Sequence, residues 1–194
     1  MRDLAALFVR NRAHGNVGIH LVHGRFAIPE NTVLLGINHD MPRCRWGKAT
    51  TMQTMDLSNV HGRIFVLTDR GFHPHEYQIG PVPDLSRVDG TFLPELADFL
   101  STNNLAMLVG LQVIDMYPSH MLELVLSRGT IMLHASNLNG CVLTRQTGWK
   151  FEVENGEPRV CQANEMHGQT RTGHEVITKV THIQKQFSIS RIHF

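Results

Sequence analysis

Cysteine is scarce in this 194-residue chain, and its three copies do not form a framework. Cys44, Cys141 and Cys161 are an odd set with no Cys-X-X-Cys spacing. That usage points to free thiols in a reducing compartment. An excess of one charge is lacking too: 18 Lys+Arg face 17 Asp+Glu, a formal net charge of +1. The balance carries no electrostatic footprint for nucleic acid or an acidic membrane surface. Long apolar runs are missing. The longest, Leu105–Ile114, is broken by Gly110 and Gln112 and falls short of the roughly 18 residues of a membrane span. At the N-terminus, Asp3 and Arg10 interrupt what would be a signal-peptide core. No Asn-X-Ser/Thr site, internal repeat or low-complexity tract occurs. The expectation is a soluble, cytoplasmic protein with no nucleic-acid or membrane partner.

Several catalytic signatures are also absent. No Gly-X-Gly-X-X-Gly follows a strand, so there is no dinucleotide fingerprint. No phosphate loop ends in Gly-Lys-Ser/Thr. Neither a Gly-X-Ser-X-Gly elbow nor a His-Glu-X-X-His helix is present.

What is there suits one folded domain over residues 1–194. Hydrophobic residues make up 42% and charged residues 18%, against a disordered chain. A chain of this length buries about 70% of its unfolded surface and needs no staples. The unusual count is thirteen histidines. Histidine is both a common metal ligand and the side chain that titrates near neutral pH.

Periodicity predicts two helices. Leu4, Leu7 and Phe8 form an apolar stripe over 3–12, with Asp3 placed to cap. Leu93, Leu96, Ala97 and Leu100 form another, with Thr91 to cap and Pro94 and Glu95 in the first turn. Strands are expected at Val17–His23, Thr32–Ile37 and Arg63–Thr68. Residues 38–62 read as an irregular insertion, and 73–90 as mainly loop with a short strand at Glu76–Ile79. From Leu105 onward the chain reads as a strand meander. Asn139-Gly140 and Asn155-Gly156 are hairpin signals, and Val176–Ile183 is a candidate last strand. Short turns and in/out alternation imply antiparallel pairing with one wet face. The expected fold is α+β: a curved antiparallel β-sheet or incomplete barrel with two packed helices.

Four constellations carry candidate chemistry. Cys161, His167 and His174 lie in a Gly-rich polar stretch. A thiolate and two imidazoles suit a divalent metal such as zinc. The bland alternative is a core cysteine and two exposed histidines. On the first strand His20 and His23 fall on opposite faces. Alternation puts His23 on the face of Ile19 and Leu21, where an imidazole needs a hydrogen bond or a metal. His73 and His75 share one face of an extended stretch and adjoin Glu76. With His134 they are similar to the His-X-His…Glu arrangement of cupin metal sites, although Glu76 follows at once and the Pro-X-Gly turn is missing. In Arg43-Cys44-Arg45 two guanidinium groups would depress a thiol pKa, with His39 or His61 as base. The same Arg43 and Arg45, with Lys48 and Trp46, are too few for a nucleic-acid footprint. Met41, Met52 and Met55 would line an adaptable apolar pocket or simply pack the irregular segment.

Gly18-Ile19-His20-Leu21-Val22-His23-Gly24-Arg25-Phe26 resembles the G-x-x-L-L-H-x-H-F opening of a family of small uncharacterised proteins of filamentous fungi, with Arg25 where a second histidine is often found. His75-Glu76-Tyr77 resembles that family's central stretch. Thr147-Gly148-Trp149, Cys161, His167 and Gly173-His174 resemble its C-terminal Trp…Cys…His pattern. The resemblance implies that His23, His75, Cys161, His167 and His174 share a region, and it implies no activity.

The functional expectation is a divalent-metal site formed by His23, Cys161, His167 and His174, in a protein of unassigned activity for which an enzyme on a small molecule is one option. A second candidate cluster is His73, His75, Glu76 and His134. The alternatives are a non-catalytic binding or interaction module with an apolar pocket, and a thiol-dependent enzyme using Cys44.

Overall fold

The computed structural model describes residues 1–22, 28–40, 43–114, 121–126, 129–134, 142–161 and 165–169, with no side-chain positions for 43, 125–126, 142–145 and 165–169. The elements in chain order are α1 (Arg2–Arg10), β1 (Val17–Leu21), β2 (Thr32–Asp40), β3 (Arg43–Thr51), β4 (Val60–Thr68) and β5 (Gly71–Ile79). They continue with α2 (Phe92–Thr102), β6 (Val109–Val113), β7 (Met121–Leu126), β8 (Gly129–His134), β9 (Val142–Trp149), β10 (Phe151–Glu154), β11 (Glu157–Val160) and β12 (Glu165–Gln169).

Helix α1 forms because its apolar residues fall on one stripe. Leu4, Leu7 and Phe8 are buried, and Phe8 packs edge-on to Phe92 at 5.0 Å between ring centroids. Asp3 sits in the first turn and Met1 is the N-cap residue. Helix α2 buries Phe92, Leu96 and Leu100. Thr91 makes no side-chain cap bond; its hydroxyl lies 3.1 Å from both Asn11 Oδ1 and Asp89 Oδ1. A polar clasp joins the helices. Arg10 Nη2 donates to Glu95 Oε2 at 2.6 Å, and Asn11 Nδ2 to the same oxygen at 3.1 Å. These hydrogen bonds hold the Glu95 carboxyl below its ordinary pKa.

The strands pair in a ring, β1-β6-β4-β5-β2-β3-β8-β7-β12-β9. Strand β9 returns to β1 through Ile19↔Trp149 and His20↔Gly148. The architecture is α+β, a strongly curled sheet with two packed helices. Tertiary structure adds closure of the ring and two parallel pairs, β2–β5 and β7–β12, among antiparallel ones. Two glycines allow close strand approach, one between β1 and β9 and one between β6 and β4. A Cβ at Gly18 would lie 2.4 Å from the Trp149 carbonyl oxygen, and one at Gly110 would lie 2.5 Å from that of Phe65.

Three expectations are corrected. The segment 38–62 is not an irregular insertion: it holds all of β3, two short 3-10 turns (Met52–Thr54 and Leu57–Asn59) and the start of β4. Its composition hides strand periodicity because β3 is buried over Cys44–Gly47, on both faces. The stretch 73–79 is strand, and Pro74 is accommodated beside a bulge in β5. The hairpin expected at Asn139-Gly140 would pair β8 with β9, yet β8 pairs with β3 and β7 while β9 pairs with β1 and β12. Asn155-Gly156 does form its hairpin, with φ of 55° and 82°, joining β10 to β11. The strand expected at Val176–Ile183 lies outside the described residues.

Candidate functional site

Directly paired residues share a face of a sheet. From Ile19 the register runs to Leu111, and from Leu111 to Phe65. With Val17, Val113 and Trp149, this face packs against α1 and α2. Both helices keep exposed polar residues, Arg2, Asp3 and Arg10 on α1 and Asp98 on α2. They therefore lie outside the ring, and the alternate residues line its interior.

That interior is mixed: Ile64 on β4, Leu34 on β2, Met121 on β7 and Met132 on β8 are buried on it, and a polar series runs among them. From His20 and Gln112 on β1 and β6 it passes to Glu76 and Gln78 on β5, Arg45 on β3, Thr130 on β8 and Glu123 on β7. All seven are buried, His20, Gln78 and Gln112 to 1% exposure. A bulge supplies one more, Arg63, whose guanidinium reaches Glu76. Arg63 is the extra residue on β4 opposite Gly62/Ile64 pairing, and it is buried. A bulge re-aims a side chain out of strict alternation.

Specific contacts organise this face. Arg63 Nη1 donates to Glu76 Oε2 at 3.3 Å, a buried ion pair. Arg45 Nε donates to Asn38 Oδ1 at 3.3 Å, and its Nη1 lies 3.7 Å from Met132 Sδ. Gln78 Nε2 donates to the Ile79 carbonyl at 3.1 Å. Paired glycines make room: a Cβ at Gly36 would lie 2.5 Å from Gln78 Oε1, and one at Gly47 would lie 2.8 Å from Thr130 Oγ1. His20 stands between Gly110 and Gly148 in the register.

The histidines expected from sequence are distributed otherwise. His23 and His174 lie outside the described residues. The backbone of His167 is in β12, paired with Glu123 and Arg145, so the presumed loop there is strand. Cys161 is half-buried, and its Sγ donates to Glu152 Oε2 at 2.8 Å. On β1 the buried histidine at 1% exposure is His20. Its face counted as the wet one in sequence, and ring closure makes it the interior.

In the second cluster His73 is exposed, His75 is half-buried at the β5 bulge, and Glu76 is tied to Arg63. His134 is on β8, separated from β5 in the ring by β2 and β3. Among the described residues no three His, Cys, Asp or Glu side chains gather to hold a metal ion.

The expected thiolate is also corrected. Cys44 is 2% exposed and opposite Leu133 on the apolar face, and burial pushes its pKa up to about 11. Arg45 points to the other face, and His39 stands across from Cys44 in the register. His61 Nδ1 is 3.1 Å from the Gly80 carbonyl oxygen. Of the methionines, Met52 is exposed and Met55 half-buried, so they line no apolar pocket together; Met41 lies outside the described residues.

Sequence reasoning missed Arg63, Gln78, Gln112, Glu123 and Thr130. Gln112 and Glu123 did carry a signal, as polar residues inside apolar runs. No family model, curated protein or solved structure matches this chain.

Proposed function

We propose that the protein binds a small polar molecule inside its barrel. One observation carries this: eight polar or charged side chains on seven strands of the ring are buried on the inward face, among the apolar Ile64, Leu34, Met121 and Met132. Burying such groups is costly unless they are paired. A barrel built for stability alone is filled more favourably with apolar side chains. Two arginines and two glutamates balance among the described interior residues, which favours a ligand without strong net charge. This is the binding-module alternative with a mixed rather than a purely apolar lining.

The test is thermal shift of untagged protein against separate pools of polyols, nucleosides, amino acids and divalent metals, followed by calorimetry. At least one pool raises the melting temperature, by mass action on the folded state. A panel in which none does so overturns the proposal.

A second reading keeps the divalent metal, because the β7–β12 register sets His167 beside the buried Glu123. On this reading the protein purifies with stoichiometric metal that His167→Ala and Glu123→Gln lose. Metal-free wild type that stays metal-free after incubation with zinc excludes it.

A further inference from the structure

We infer that Gln78 reads the ligand, and that the ligand offers it an N–H or O–H donor. This deepens the interior-binding proposal and rests on it. The Gln78 amide has a defined orientation: Nε2 donates to the Ile79 carbonyl at 3.1 Å, which turns Oε1 the other way. That oxygen lies over Gly36, directly paired with Gln78 across β2 and β5, where a Cβ would come within 2.5 Å of it. The same Cβ position lies 3.4 Å from Arg45 Cδ, so Gly36 separates the Gln78 amide from the Arg45 stem on the interior face. Gln78 is 1% exposed, and among the described residues Oε1 accepts no hydrogen bond.

A buried acceptor without a donor is unfavourable, and a site built around one discriminates against molecules that cannot supply the hydrogen. An amide oxygen is acceptor-only. It repels a carboxylate or phosphate oxygen and accepts from an amide, amine or hydroxyl. The acceptor thus excludes anions, and with the balanced interior charges of Arg45, Arg63, Glu76 and Glu123 the ligand class is a neutral, donor-bearing small molecule.

Binding of myo-inositol, uridine and acetamide is compared with that of acetate and inorganic phosphate, by calorimetry on the full chain. Wild type binds a donor-bearing probe and neither anion. Gln78→Met, similar in size without the acceptor, weakens that probe at least tenfold. Gln78→Glu keeps an acceptor and adds charge, so ethanolamine gains on the neutral probe. If Gln78→Met does not fold, this change of preference decides. Unchanged probe affinity in Gln78→Met, or unchanged preference in Gln78→Glu, overturns the role of Gln78 and leaves interior binding standing. Anions that bind wild type in place of donor-bearing probes overturn the ligand class. Absence of binding by every probe overturns the inference, whereas the interior-binding proposal fails only if the broader thermal-shift pools are silent as well.

Discussion

Ile19 and His20 are neighbours on β1 and are equally buried, each 1% exposed, yet they belong to different environments. Ile19 faces outward into the layer beneath α1 and α2, with Leu96, Leu100 and Phe151. His20 faces inward, on the surface shared with Gln112, Gln78, Arg45 and Glu123. Area burial stabilises the outer layer without regard to direction. The inner layer depends on which donor meets which acceptor, and a lost partner there costs more than a lost methylene. Stability resides mainly in one layer and specificity in the other.

The sharpest way to break this comparison is the interior ion pair. Glu76→Ala removes the buried carboxylate that faces Arg63 and lowers unfolding free energy by about 3–5 kcal/mol in a denaturant titration. The double variant Arg63→Met/Glu76→Leu stays near wild-type stability or exceeds it. A double variant as damaged as the single one would show that the interior is held together by its charges. On the outer layer, Leu96→Ala costs about 3 kcal/mol through lost burial and an unfilled cavity, with the interior probe affinities unchanged. A smaller effect is expected at Gly36→Ala, about 1–3 kcal/mol, because the new Cβ displaces the Gln78 oxygen. Adding Gln78→Ala recovers part of that loss, and strict additivity of the two changes would rule out the contact.

Two pH-linked measurements sharpen the difference further. Cys44, buried on the apolar face with a raised pKa, stays protonated and unlabelled by iodoacetamide at neutral pH, and reacts once the protein is unfolded. Equal labelling of Cys44 before and after unfolding would contradict its burial. The Glu95 carboxyl is lowered by Arg10 and Asn11. Its contribution to the α1–α2 clasp is therefore present at neutral pH and fades as pH falls through the lowered folded value. Arg10→Ala flattens this acid-side dependence in a melting series, and an unchanged slope would show that the clasp contributes nothing.

The comparison also shows where sequence stops. Both helices, most strand positions and the Asn155-Gly156 turn followed from local chemistry: an apolar stripe, alternation, and residues that tolerate positive φ. The α+β class with a curved sheet followed from those elements. Strand β3 did not, because a strand buried on both faces loses the contrast that alternation needs. Nor did the site. Glu123 between Leu122 and Leu124, and Gln112 after Leu111, read as solvent-facing residues of a half-wet sheet, because in an open sheet the polar face is the wet one. The outward apolar set was thus determined by sequence alone. That the other set is an interior was decided only when β9 reached β1 and the parallel pairs completed the ring. Closure depends on contacts between residues more than a hundred positions apart, such as His20 and Gly148, and no local pattern records which face will end up inside.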